Sequence, residues 1–475
     1  MKKRFRQILI PLTAAAFSAG LSMVSLAAGW TQENGEWYYY SSDGSKETDT
    51  FKKSGNNWFY LDSDGTMVTS SIVEQDGNYY YVNSQGAMVS NEWREMENED
   101  GDSDEPDTWW YYLQSNGRAV KASDSSDSVK IVTLPTASGD AKFIFDDEGH
   151  MLTGWISEDG EMLTEDDAWQ EGIYYCDPDN GGRLVYNSWK YLTAEDDEND
   201  DRDGDGYWFY FQSNGKKVAN TDSKRINGRK YRFNEYGAAQ FDWYATPSVA
   251  SSSVSSGLYY NSEDQCWLST GWFKTYPDED IDPEGYDEGE EFWYYADSKG
   301  ELVTSQIKTI NGQKYGFDAY GKMLYGLYRL TFDEDGKTIL SADKIESESD
   351  LPDQNEDAYV YYFGDSPKEG AMKTGTCTLE IDGEKYYYKF RTSGDMKGAG
   401  VNGIDDGYIY IQGRRMTAES GSKYEPFTYN GNDYLINTSG KIMKNKTNVK
   451  DADDVYYCTD EDGIITYSGY DKYTD

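Results

Sequence analysis

The sequence predicts an all-β fold, a solenoid of stacked short β-hairpins with acidic loop insertions, from three observations. Turn glycines that follow an aromatic block recur at Gly44, Gly65 and Gly86, and continue through Gly117, Gly149, Gly182, Gly215 and Gly237. The blocks, such as Trp37-Tyr38-Tyr39-Tyr40 and Trp58-Phe59-Tyr60, stand next to Asn-Gly and Asp-Gly pairs. Those pairs are hairpin signals, because a tight turn needs positive φ and glycine supplies it without a Cβ clash. Past the N-terminal segment no stretch repeats its apolar residues with a helical period. A fixed period of about 20 residues with variable insertions marks a repeat array, whose units cannot bury their own rings and must stack on neighbours.

The first 27 residues read as a signal peptide. Lys2, Lys3, Arg4 and Arg6 precede an apolar run from Ile8 to Leu26, and Ser25-Leu26-Ala27 offers small residues at a cut site. An uncleaved anchor is the competing reading, since the run is nearly long enough to span a bilayer. After cleavage no transmembrane span remains, and the mature chain is expected to be secreted.

Residues 28–325 form the array with recognisable aromatic motifs. It opens on Gly29–Gly44, where a Gly-Trp pair, an Asn34-Gly35 turn and a four-residue aromatic block follow in turn. Aromatic residues suit a pleated, half-buried surface, so the flanks of that turn are strands. Long units start with a single Trp (Trp93, Trp155, Trp189, Trp272) and reach their aromatic block through an acidic insertion. Compact units, Arg225–Tyr231 and Thr309–Tyr315, lack that Trp. From Trp189 to Gly237, and again from Trp272 to Gly321, a long unit precedes a compact one, as internal duplication would leave them. Residues 326–475 keep the turn glycines less regularly and read as degenerate repeats of the same solenoid.

Composition narrows the function. With 44 Tyr and 14 Trp, the core consists of thin rows of rings rather than a thick aliphatic interior. Losing four basic residues with the signal takes the net charge from −43 to about −47. No Lys/Arg stripe is present to bind phosphates, so nucleic acid is excluded as a partner. Cys176, Cys266, Cys377 and Cys458 stand on distant rungs and read as apolar substitutions at aromatic-block edges. Zinc lacks both Cys-x-x-Cys spacing and a second histidine beside His150.

These motifs resemble the choline-binding, or cell-wall-binding, repeat of Gram-positive surface proteins. Asp64-Gly65-Thr66-Met67, Gln85-Gly86-Ala87-Met88 and Glu148–Trp155 carry the tail of that motif closely. The compact units resemble related repeats of clostridial toxin receptor-binding regions and of glucan-binding domains in glucosyltransferases. The resemblance implies ligand cages between successive hairpins, with aromatics from one repeat, one or more from the next, and often a closing Met. Carried over residue by residue, the candidates are Trp30, Trp37, Trp58, Tyr60, Met67 and Tyr80 in the first units. In the long units they are Trp93, Trp110, Trp155, Tyr175, Trp189, Trp208, Tyr210, Trp272, Trp293 and Tyr295. The chain departs from the family pattern in its long loops, in units without Gly-Trp, and throughout its C-terminal third.

An aromatic cage fits a quaternary ammonium because ring faces carry negative quadrupole density and the trimethylammonium head donates no hydrogen bond to water. The same rings can stack on sugars, and strand alternation sends one ring of two into the core. The acidic insertions form a second constellation. Asp201-Arg202-Asp203-Gly204-Asp205-Gly206 matches the opening of a calcium loop, with Asp201, Asp203 and Asp205 as ligands. Gln212 stands where the closing Glu belongs, so a solvated charge run competes with calcium as the reading, and no other cofactor is expected. Catalysis is not expected: nearly every segment is used as a hairpin, and no Ser or Cys triad surrounds His150. The expectation is therefore a secreted, non-catalytic protein of a Gram-positive cell surface. It would attach noncovalently to choline-bearing (lipo)teichoic acid or another cell-envelope polysaccharide. The alternative is a carbohydrate-binding adhesin or receptor-recognition module for glucans or host glycans.

Overall fold

The computed structural model describes residues 29–98, 105–123, 129–194, 206–246, 256–352, 358–364 and 370–474. The signal-like segment 1–27 and the carboxylates Asp201, Asp203 and Asp205 lie outside the described residues. Nearly all the regular structure is β, in many short antiparallel hairpins, as the turn glycines predict. The chain divides into two compact units, one up to Gln240 and the other from Phe241.

In the first unit the strands Trp30–Glu33 and Glu36–Tyr39 pair in register, Trp30 opposite Tyr39. Thr50–Ser54 with Asn57–Leu61, Ser71–Gln75 with Asn78–Val82, and Glu92–Glu97 with Thr108–Leu113 repeat the arrangement. Lys130–Thr136 with Gly139–Phe145 follows, then a four-stranded sheet around Gly154–Ile156, then the hairpins led by Trp189 and by Thr221. In the second unit two-stranded hairpins led by Trp243, Trp272 and Gln306 precede wider sheets. Leu327–Phe332 is the centre of a three-stranded sheet, and Gly375–Ile381 is the edge of a five-stranded one.

The repeat period has a physical basis in the turn after each hairpin. Asp62 accepts the backbone N–H groups of Asp64 (2.9 Å) and Thr66 (2.8 Å) through Oδ1, and its carbonyl accepts the N–H of Gly65 at 2.9 Å. Asn83, Asp146, Asn234, Asp297, Asp318, Asn437 and Asp460 repeat this turn with the same two side-chain bonds. Two residues past the turn glycine, a backbone N–H reaches back to a carbonyl of the preceding hairpin. Met67 bonds Trp37 at 2.8 Å, Met88 bonds Trp58 at 2.8 Å, Ala119 bonds Tyr79 at 2.7 Å and Met151 bonds Trp110 at 2.8 Å. Met323 to Trp293 (2.8 Å) repeats it in the second unit. Each such bond is worth only about 1 kcal/mol net, so the stacking rests mainly on the rings it brings together.

Two short helices interrupt the acidic insertions, where no helix was expected. The first, α1 (Ala168–Glu171), is held by Trp169, which is buried and stands 5.6 Å from the ring of Tyr207. The second, α2 (Pro283–Asp287), has Pro283 in its first turn and Asp282 as its cap, accepting the Gly285 N–H at 3.1 Å. Periodicity could not reveal either, because each is barely one turn long. Three of the cysteines are buried; burial in an aliphatic cluster pushes the Cys176 thiol up to about 12. Cys266 differs from expectation: it sits in a turn at φ 53° and its thiol donates to the Glu263 carbonyl.

Candidate ligand-binding site

The recurrent feature is an aromatic interval between one hairpin and the next. A lead ring on the first strand meets its register partner on the second strand, then the inward rings of the following hairpin. Trp30 meets Tyr39 at 5.4 Å and Phe59 of the next hairpin at 5.5 Å. Phe51 meets Tyr60 at 5.1 Å and Tyr80 at 4.9 Å. Trp93 meets Tyr112 (5.1 Å), Trp110 (6.5 Å) and then Phe143 at 4.8 Å. Trp155 meets Tyr175 and Phe209, each at 5.1 Å, and Trp189 meets Tyr210 (5.2 Å) and Tyr231 (4.7 Å). In the second unit Trp272 meets Tyr295 (5.2 Å), Trp293 (6.4 Å) and Tyr315 (4.8 Å). Most contacts are edge-to-face, the arrangement that the ring quadrupole favours.

The structure thus gathers the predicted residues into interval groups: Trp30 with Trp37, Tyr60 with Tyr80, Trp93 with Trp110, Trp155 with Tyr175, Trp189 with Tyr210, and Trp272 with Trp293 and Tyr295. Trp208 lies against Tyr191 at 5.5 Å. Trp58 is the outlier, 41% exposed with Lys53 5.8 Å from its ring. Trp30 and Trp155 are buried at 7% and 8% exposure, so those two offer little ring face to solvent. Met67 packs at the margin of the Trp30 cluster, with its methyl 2.9 Å from where a Cβ on Gly86 would stand. Burial pushes the Tyr175 phenol up to about 12 and raises Tyr111 and Tyr294 further. All three are neutral rings near pH 7.

Sequence reasoning missed the receiving rings, Phe59, Phe143, Phe209, Tyr231 and Tyr315, although alternation along each block could have found them. It also missed Trp243, which meets Tyr259 at 5.1 Å and Tyr294 at 5.2 Å. Trp243 follows Asp242 rather than Gly, and Asp242 holds φ 59°. Asn91 and Asn187 likewise take φ 56° and 49° just before the strands of Trp93 and Trp189. Asn and Asp tolerate this left-handed region better than other side chains, so Asp242 stands in for the glycine of Gly-Trp, whereas Asn91 and Asn187 place the positive φ one residue earlier, before Glu92 and Ser188.

Ring faces on this chain already attract cations. Lys46 stands 3.9 Å from the Tyr38 ring centre, Lys52 5.5 Å from Tyr39, and Arg94 5.1 Å from Tyr81. A cavity of about 1000 Å³ opens in the first unit beside Trp109 and Tyr111. His150 stacks on Trp109 at 4.2 Å and is tied to Asp146 Oδ2 at 2.8 Å, while Glu97, Glu148 and Glu161 make the walls acidic. This places Trp109 on the cavity, whereas its predicted neighbour Trp110 lies in the Trp93 interval. Among the described residues no group of three or more His, Cys, Asp or Glu is arranged to hold a metal ion.

A model of the choline-binding repeat matches residues 51–93, and one of the putative cell wall binding repeat matches residues 28–46. Residues 28–46 and 51–93 are thus where this chain is similar to choline-binding and cell wall binding repeats. Among curated proteins, Glucosyltransferase-S of Streptococcus mutans is 28% identical over 227 residues, 48% of this chain and 12% of the relative. Glucosyltransferase-I of Streptococcus downei is 26% identical over 297 residues, 57% of this chain and 17% of the relative. The chain therefore spans less than a fifth of the length of either. Among solved structures, choline binding protein F of Streptococcus pneumoniae is 17% identical, with 83% of this chain and 100% of that one covered and a TM-score of 0.30. The modular autolysin LytC of the same organism is 19% identical, with 65% and 56% covered and a TM-score of 0.33. CbpJ of S. pneumoniae TIGR4 is 18% identical, with 82% and 99% covered and a TM-score of 0.28. No helix among the described residues is long and apolar enough to cross a membrane.

Proposed function

We propose that this chain is a secreted, non-catalytic protein of a Gram-positive cell surface that attaches noncovalently to choline-bearing (lipo)teichoic acid through several aromatic intervals acting together. The observation that carries the reading is the repetition of one ring arrangement along the chain, with half-buried tryptophans at Trp37, Trp93, Trp110, Trp189, Trp272 and Trp293. A trimethylammonium head against such rings gains about 0.5–2 kcal/mol per contact, and tethered weak sites raise one another's effective concentration. The acidic envelope concentrates cations nearby. The repeat matches at 28–46 and 51–93 support choline as the ligand. The test is retention of the mature chain on a choline-analogue column and its elution by free choline. Flow-through of a folded protein removes choline as the ligand.

A second reading, a carbohydrate-binding module for glucans or host glycans, is favoured by the likeness of about half the chain to two glucosyltransferases. Retention on immobilised glucan or mucin, with flow-through on the choline analogue, selects it.

A further inference from the structure

The residue two places past a turn glycine closes the interval beneath the next hairpin, and in several hairpins it is methionine. Met67 lies under Gly86, Met88 under Gly117 and Met151 under Gly182, each so close that a Cβ on that glycine would meet its Cε at 2.9, 2.6 and 2.5 Å. In the Trp189 hairpin that place belongs to Lys217. Its N–H reaches the preceding sheet at the Ile173 carbonyl (2.8 Å), as the methionine N–H groups do, and its stem runs beneath Gly237.

The head of Lys217 goes where a methionine has nothing to offer. Its Nζ donates to the carbonyls of Trp169 (2.6 Å) and Gln170 (2.9 Å) and stands 5.2 Å from the ring centre of Trp155. Lys217 is 7% exposed, and no carboxylate pairs with it among the described residues. The two carbonyls belong to α1, within Ala168–Glu171. Burial pulls the Lys217 pKa down to about 7, while the carbonyls and the indole face act in the opposite direction, towards the ammonium form.

We propose that the Trp155 interval is a primary-ammonium site, built from the Trp155 ring face and two α1 carbonyls, which the chain fills with its own Lys217. The site selects an N–H-bearing ammonium, because a quaternary head cannot replace the two N–H donations that Lys217 makes to these carbonyls. This interval is thereby closed to choline and serves as a lock between two hairpins. The inference refines the proposed reading of the intervals, but its test uses no choline, so loss of choline retention would leave it standing.

The test is chemical rescue in the full mature chain. Lys217→Ala removes a fragment that n-propylammonium can replace. The variant should melt several degrees below wild type, and n-propylammonium should restore at least half of that loss while shifting wild type little. Tetramethylammonium at equal concentration and ionic strength should restore clearly less. Equal rescue by both ions, or none by either in a folded variant, overturns the proposal. Should the variant not fold, acylation of the wild-type protein decides. Lys217 should be labelled at least tenfold more slowly than the exposed Lys308, and equal labelling overturns the proposal.

Discussion

Gly86→Ala and Gly77→Ala form a matched pair that measures how tightly one hairpin seats on the next. Both glycines hold the left-handed backbone, at φ 75° and 69°, so alanine costs each about 1–2 kcal/mol of backbone strain. Their surroundings differ. A Cβ on Gly77 meets nothing within 4 Å, whereas one on Gly86 stands 2.9 Å from the Met67 methyl and 3.2 Å from the Val68 carbonyl oxygen. The methyl can swing aside, but the carbonyl belongs to the preceding tail, whose Val68 N–H is bonded to Tyr60 at 2.9 Å. Forcing such a contact costs about 1–3 kcal/mol more. Urea denaturation followed by tryptophan fluorescence should therefore give Gly86→Ala the lower midpoint and an unfolding free energy smaller by that margin. Met67→Ala in the Gly86→Ala background should recover less than the whole difference, because the carbonyl contact stays. Equal midpoints for the two single variants would refute the stacking geometry.

Asp318 is pushed up to about 6, chiefly by burial with Asp282 nearby, against the opposing pull of Lys322. A raised carboxyl pKa favours the folded state most below about 4, and that advantage is lost as pH rises through 6, about 3 kcal/mol in all. Asp318→Asn keeps the turn acceptor for the Tyr320 and Lys322 N–H groups, so its stability should vary less between pH 4 and 7 than that of wild type in urea titrations. Trp272→Ala, which removes a ring from a five-ring cluster, should cost about 3 kcal/mol of stability, read by chemical denaturation. Trp58→Ala should cost under about 1 kcal/mol, because that ring is largely exposed. Asp62→Ala deletes the acceptor of two turn N–H groups and should lower the urea-derived stability by about 1–2 kcal/mol.

The hairpins and their turns were legible because they depend on local chemistry. Asp62 to Gly65 writes its own turn, and Trp37 to Tyr40 its own strand. Which ring faces which neighbour was less legible, because it depends on register between strands that are distant in sequence: Phe59 receives Trp30 only once both hairpins are stacked. Trp243 escaped because Asp242 supplies the positive φ that Gly29 supplies for Trp30. The helices α1 and α2 escaped because one turn carries no period, and a buried Trp169 or a capping Asp282 acts through contacts the sequence does not display. Lys217 reads as one more surface lysine in Lys216-Lys217 until the carbonyls of α1 are brought over it.

The measurement that tests the central claim most directly is isothermal titration of residues 28–475 with choline. Several weak sites per chain are predicted, with Trp272→Ala and Trp93→Ala each removing one site in a protein that stays folded. No heat with choline, or a single site untouched by both substitutions, would contradict multivalent attachment through the aromatic intervals.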